Sequence, residues 1–219
     1  MTWLYLLAAI ALFIAPLTSP LPTGTGVEGV IQALTSQTQV PNLVSGVILH
    51  TRLFDTVAEV VVFTLASIGV RLVLASEPKQ QRIRSLDDPP SQVLCELGST
   101  IAALVAAELA LRGHLSPGGG FAAGVAGGTA IGLQLISGGA DRSERLFQRY
   151  RADLWEKAAV LGFLVVALLA LLGVRLGSSG FGTLLSGGWI PLLNLLVALK
   201  VTLGSWAMVQ RLVRHRGLL

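Results

Sequence analysis

Long apolar runs separated by short polar stretches dominate the pattern of this chain. Six runs are long enough to read as helices that cross a bilayer: about Thr2–Thr18, Phe54–Ser76, Ser91–His114, Gly119–Ser137, Leu154–Leu176 and Trp189–Arg214. A helix needs about 20 residues to span the hydrocarbon core. The first run is the shortest, because Pro16, Pro20 and Pro22 cut it off. Its rival reading is a cleaved signal peptide. Against that, no Lys or Arg precedes the run and no small-x-small cleavage site follows it. The stretch Thr23–Arg52 is polar enough to be a loop, although Val40–Leu49 is partly apolar and suits a short interfacial or re-entrant helix. The pattern predicts an all-α, polytopic transmembrane protein of about six spans.

Composition agrees. Of 219 residues, 53% are hydrophobic and 13% charged, where a soluble domain carries about 25% charged residues. Basic residues orient the spans. The 77–90 loop holds Lys79, Arg82 and Arg84. The 138–153 loop holds Arg142, Arg145, Arg149 and Arg151, and the tail holds Arg211, Arg214 and Arg216. The alternate connections hold only Arg52, Arg112 and Arg175. By the positive-inside rule both termini should be cytoplasmic. The net charge of +4 sits in these loops and is no nucleic-acid footprint. The single cysteine, Cys95, forbids an intrachain disulfide and a zinc cluster. No cofactor motif is present. Asp87-Asp88-Pro89-Pro90 suits a boundary between two halves, residues 1–88 with two spans and residues 89–219 with four.

Few polar groups fall inside the spans, and each needs a reason. Asp55 and Glu59 stand four residues apart at the start of the second span, so they share a helix face. An acid at the bilayer centre costs roughly 2.5–3.5 kcal/mol, less near the interface. A basic partner, water or a transported cation must offset that. Lys200 lies near the middle of the last span, too deep to snorkel, and needs a carboxylate or a wet cavity. Glu108 has Arg112 four residues on, which points to an ion pair, and Glu96 lies near a span end. His114, at a span mouth, reads either as a hydrogen-bonded structural residue or as a proton relay. Glu156 and Lys157, beside Trp155, read as an interfacial anchor.

After Ser116-Pro117, Gly118, Gly119 and Gly120 form a turn. Gly120, Gly124, Gly128 and Gly132 then recur at four-residue spacing, a face for close helix packing. A phosphate loop is excluded, because no Lys-Ser/Thr follows and no strand precedes.

Two resemblances follow from these residues. Asn42 to Val70, with Arg52-Leu53-Phe54-Asp55-Thr56 and Glu59, resembles the C-terminal part of the large A subunit of Mrp-type multisubunit Na+/H+ antiporters. The small E subunit of membrane-bound hydrogenases has the same pattern, with Gly where Leu53 stands here. Gly113-His114, Pro117 to Phe121, Gly124 and Ile190-Pro191-Leu192-Leu193-Asn194 through Lys200-Val201 resemble the B subunit of the same antiporters. The resemblance implies an A-type tail fused to a B-type subunit. It implies an accessory, non-enzymatic plasma-membrane subunit working beside larger proton-translocating partners. Na+ or H+ would be cargo, with Asp55 and Glu59 in the ion path and His114 and Lys200 contributing. Two rivals remain: a purely structural module, and a subunit of a complex I-like or hydrogenase-type redox complex.

Overall fold

The computed structural model describes residues 25–217, apart from 81, 82, 84, 87 and 178. The run Thr2–Thr18 lies outside the described residues. Contacts divide the chain into residues 1–33 and residues 34–219. The first unit is described only over the opening turns of α1 (Thr25–Thr38). The second holds the rest of α1, then α2 (Leu43–Gly46), α3 (Leu53–Leu74), α4 (Pro89–Arg112), α5 (Gly120–Gln134), α6 (Ala140–Arg149), α7 (Ala152–Leu171) and α8 (Ile190–Arg216). Every regular element among the described residues is helical. Five helices among the described residues are long and apolar enough to cross a membrane, with α5 and α6 counting as one.

Two segments read as loops are helical. α1 occupies the first half of the Thr23–Arg52 stretch, and a π-helical turn, Val47–Thr51, extends α2 up to the start of α3. The Arg-rich 138–153 loop is largely α6. It follows a second π-helical turn, Leu135–Gly139, broken where Ser137 and Gly138 leave helical geometry and Gly138 takes φ 94°. Only glycine adopts that φ without strain.

Helix starts follow local chemistry. Asp88 caps α4, accepting a hydrogen bond from the Ser91 amide at 3.0 Å, and Pro89 and Pro90 occupy the first turn. Bonds from the Ser91 side chain and amide hold the Asp88 carboxyl below its ordinary range.

α8 is the most buried span. α5 lies against it because three stripe glycines admit its backbone and side chains. A Cβ on Gly120 would sit 2.5 Å from the Asn194 carbonyl oxygen, and one on Gly124 would sit 2.3 Å from Cβ of Val201. Gly128 meets Ser205 in the same way, and Gly127 meets Thr202. Gly132, expected to continue the stripe, has nothing within 4 Å of its Cβ position. The contact with α8 passes beside it, through Ile131 and Leu135, which cluster with Val209 and Val213. Val60 of α3, Phe163 of α7 and Val201 of α8 share the main apolar cluster. α3, α4 and α7 show rows of exposed Leu, Val and Ile outward. In a bilayer such rows face lipid or another subunit rather than water.

Candidate functional site

Lys200 is fully buried, and its Nζ donates to Glu156 Oε1 from the first turns of α7. The Glu156 side chain is 14% exposed. Phe63 of α3 presents its ring 5.3 Å from the ammonium, a cation–π contact. Gly204, one turn beyond Lys200, leaves room for the group. A Cβ there would lie 2.7 Å from Phe63 and 3.3 Å from Lys200 Nζ. Three spans thus converge on one ammonium. Glu156 is no interfacial anchor: it turns inward, because an unpaired ammonium at that depth would be prohibitive. Trp155 and Lys157 stay exposed, with Lys157 3.7 Å from Asp153. The buried pair opens onto a cavity of about 420 Å³, which Arg71, Asp153, Lys157 and Arg211 also line.

A second polar centre forms where α4 ends. Its last carbonyls have no intrahelical partners and need donors. Asn194 Nδ2 donates to Ala110 O at 2.7 Å and Leu109 O at 3.1 Å. Asn42 Nδ2 donates to Gly113 O and Ser116 O, each at 2.8 Å, and Ser45 Oγ donates to Gly113 O at 2.6 Å. His114 is fully buried beside them. Neither of its ring nitrogens has a hydrogen-bond partner among the described residues, and the same holds for Ser186 Oγ and Asn194 Oδ1. Burial pushes the His114 pKa below its ordinary 6.5, against a weaker opposite pull from the Thr183 and Leu184 backbone. The imidazole is therefore held neutral.

The other acidic candidates lie elsewhere. Asp55 and Glu59 share an exposed face of α3. Asp55 pairs with Arg52, three residues back, with both side chains at least half exposed. Glu59 has no ion-pair or hydrogen-bond partner among the described residues. Glu108 and Arg112 pair at 2.9 Å on the outer surface of α4, and Glu96 is exposed on the same helix. None of these four carboxylates lines the Lys200 cavity. Glu156, Phe63 and Gly204 are the site residues that sequence reasoning missed. Part of the signal for Glu156 was present, since Lys200 called for a carboxylate or a wet cavity. Among the described residues no group of three or more His, Cys, Asp or Glu could hold a metal ion.

Residues 90–207 match a family described as a domain related to the MnhB subunit of Na+/H+ antiporters. The match includes Glu156 and Lys200 and excludes Asp55 and Glu59. A probable K+/H+ antiporter A/B subunit of Rhizobium meliloti (strain 1021) is 31% identical over 123 residues, covering 45% of this chain. The chain spans only 12% of that relative. Two solved structures share the fold. One is a chain of the membrane-bound sulfane sulfur reductase, an archaeal respiratory membrane complex, at 22% identity and TM-score 0.71, covering 97% of both chains. The other is a chain of the Mrp complex from Dietzia sp. DQ12-45-1b, at 19% identity and TM-score 0.65, covering 96% of this chain and 26% of that one.

Proposed function

Because this chain belongs to the family of domains related to the MnhB subunit of Na+/H+ antiporters, we propose that it is an accessory, non-enzymatic subunit of a multisubunit cation/proton antiporter in the plasma membrane, with Asp55 and Glu59 as its contribution to the ion path. The observation that carries this reading is the exposure of both carboxylates on an apolar span. Glu59 sits among outward-facing residues such as Val62, 64% exposed, and has no partner of its own among the described residues. A carboxylate facing lipid is costly, and one facing a wet cleft shared with a neighbouring subunit is not. The chain supplies the acids, and a partner supplies the other wall.

Lys200 and Glu156 carry a different duty. They form a closed, charge-balanced pair that holds α7 against α8, and they fix a positive charge next to the cavity. Both termini lie in the cytoplasm on this reading, with the basic ends of α3 and α8 at that surface. The family match begins at residue 90, which supports a module boundary after Asp88. The relative's name points to K+ and the family's description to Na+, so both cations belong in any flux assay.

The second reading is a subunit of a respiratory redox complex. It is favoured by the end-to-end match to a chain of the sulfane sulfur reductase. A mild-detergent pull-down of the native chain separates the two. Recovery with large antiporter-like subunits supports the antiporter, and recovery with redox subunits supports the alternative. In the recovered assembly Glu59→Gln abolishes cation-dependent proton flux without loss of subunits. Normal flux in that variant would sink the proposal.

A further inference from the structure

The charges around the cavity beside Lys200 do not cancel. Lys200 is neutralised by Glu156, and Lys157 by Asp153. Two guanidinium groups remain. Arg71, from the last turn of α3, and Arg211, near the end of α8, line the same cavity. Neither forms a salt bridge among the described residues. Arg214, one turn further along α8, is the contrast: Glu144 holds it, and Asp141 lies 3.1 Å from it.

A helix C-terminus favours a cation by about half an elementary charge. That accounts for an arginine at the end of each helix. It does not account for two guanidinium groups without a salt bridge among the described residues on one shared cavity, where four cations face two carboxylates. Like charges facing one partly dehydrated space repel, and an anion between them reverses the sign of that interaction. Guanidinium forks match phosphate oxygens in both geometry and charge. The remaining walls include Ile68, Val160 and Leu161, and Ile68 and Leu161 are also exposed outward. A free inorganic anion has no use for such walls, whereas an acyl chain does. The basic helix ends place the arginines at headgroup depth. A volume of about 420 Å³ suits a headgroup with its glycerol and leaves the tails to the bilayer.

We propose that this cavity binds the phosphodiester headgroup of an anionic phospholipid, with Arg71 and Arg211 clamping the phosphate and Ile68 and Leu161 guiding an acyl chain out to the membrane. The site is independent of the ion-path reading, and its test reads lipid rather than flux.

The native complex is purified from membranes in mild detergent, and retained lipid is extracted and weighed by mass spectrometry. Phosphatidylglycerol should be enriched over phosphatidylethanolamine relative to the bulk membrane. Each arginine should contribute about fivefold to that retention, so Arg71→Gln with Arg211→Gln should lower it by roughly 25-fold. Arg142→Gln, at an exposed position of α6 that does not line the cavity, should change nothing. Arg71→Lys with Arg211→Lys keeps the charge and should retain an intermediate amount. In nanodiscs, phosphatidylglycerol added to phosphatidylcholine should raise the unfolding temperature of the native complex and not that of the double Gln variant. Equal retention in native and double Gln complexes would overturn the site. A stabilisation reproduced by inorganic phosphate, with no preference among lipids, would overturn the lipid assignment.

Discussion

The chain holds carboxylates in two opposite environments. Glu156 is mostly inside and pairs with Lys200, whose ammonium lies over the Phe63 ring. Asp55 and Glu59 are outside, on the face of a span, and among the described residues only Arg52 pairs with one of them. The inner centre is complete in this chain, and the outer one is not. A finished pair serves packing and charge balance. An unfinished one implies a missing wall. On the proposed reading, the difference separates what the chain needs to fold from what it brings to an assembly, and it can be broken from either side.

The strongest effect should come from the inner centre. Lys200→Met leaves Glu156 partly buried without its cation, and Glu156→Leu leaves a fully buried ammonium. Each single change should cost about 3–5 kcal/mol, while the double change should be close to neutral. Chaotrope or thermal unfolding of the purified chain in detergent checks the cycle. If the double variant also transports normally once assembled, Lys200 is structural. If it folds and fails to transport, its fixed charge belongs to the ion path.

That centre also marks what could be read from the sequence. Depth alone showed that Lys200 needs a carboxylate or a wet cavity, because burial cost depends on position along a span. Which carboxylate depends on the register between two helices 44 positions apart in the chain, which no local pattern encodes. Glu156 lies near a span end and so resembled a headgroup contact. The apolar spans were legible for the opposite reason, since length and hydropathy are local. α1 was hidden because Gly26 and Gly29 weaken its helical signal. α6 was hidden because its arginines read as a loop, although Phe147 packs edge-on against Trp206 at 5.1 Å. The glycine stripe revealed a packing face but not that the contact turns from Gly132 onto Ile131 and Leu135.

The stripe gives the next largest effect. Gly124→Leu must displace Val201 and the Ala198 carbonyl, so it should cost about 1–3 kcal/mol or more. Gly132→Leu occupies open space and should leave the stability of the isolated chain unchanged. Unfolding of the two variants side by side measures this. Equal losses would mean that the Gly132 face is also packed. If Gly132→Leu fails only in the assembled complex, Gly132 faces a partner.

His114 should produce a smaller, pH-dependent effect. Its folded pKa lies below the ordinary value, so between the two values the unfolded chain binds the extra proton. Stability is then fully present above about pH 6.5 and is lost as pH falls through that value toward the folded pKa. Unfolding temperatures at pH 8 and pH 5.5 should differ more in the native chain than in His114→Gln. An equal acid loss in both would place the sensitivity elsewhere.

The smallest effect on stability should come from the outer centre, where Asp55→Asn tests the comparison most sharply. The Arg52–Asp55 pair is exposed and three residues apart, so its loss should cost about 0.2–1 kcal/mol. Unfolding of the isolated chain should barely register it. Flux through the assembled complex should fall, because an amide neither binds a cation nor releases a proton as a carboxylate does. Arg52→Gln removes the same ion pair and leaves the carboxylate in place. If both variants lower flux equally, the pair merely positions the start of α3. A loss with Asp55→Asn and none with Arg52→Gln would assign the effect to the carboxylate itself.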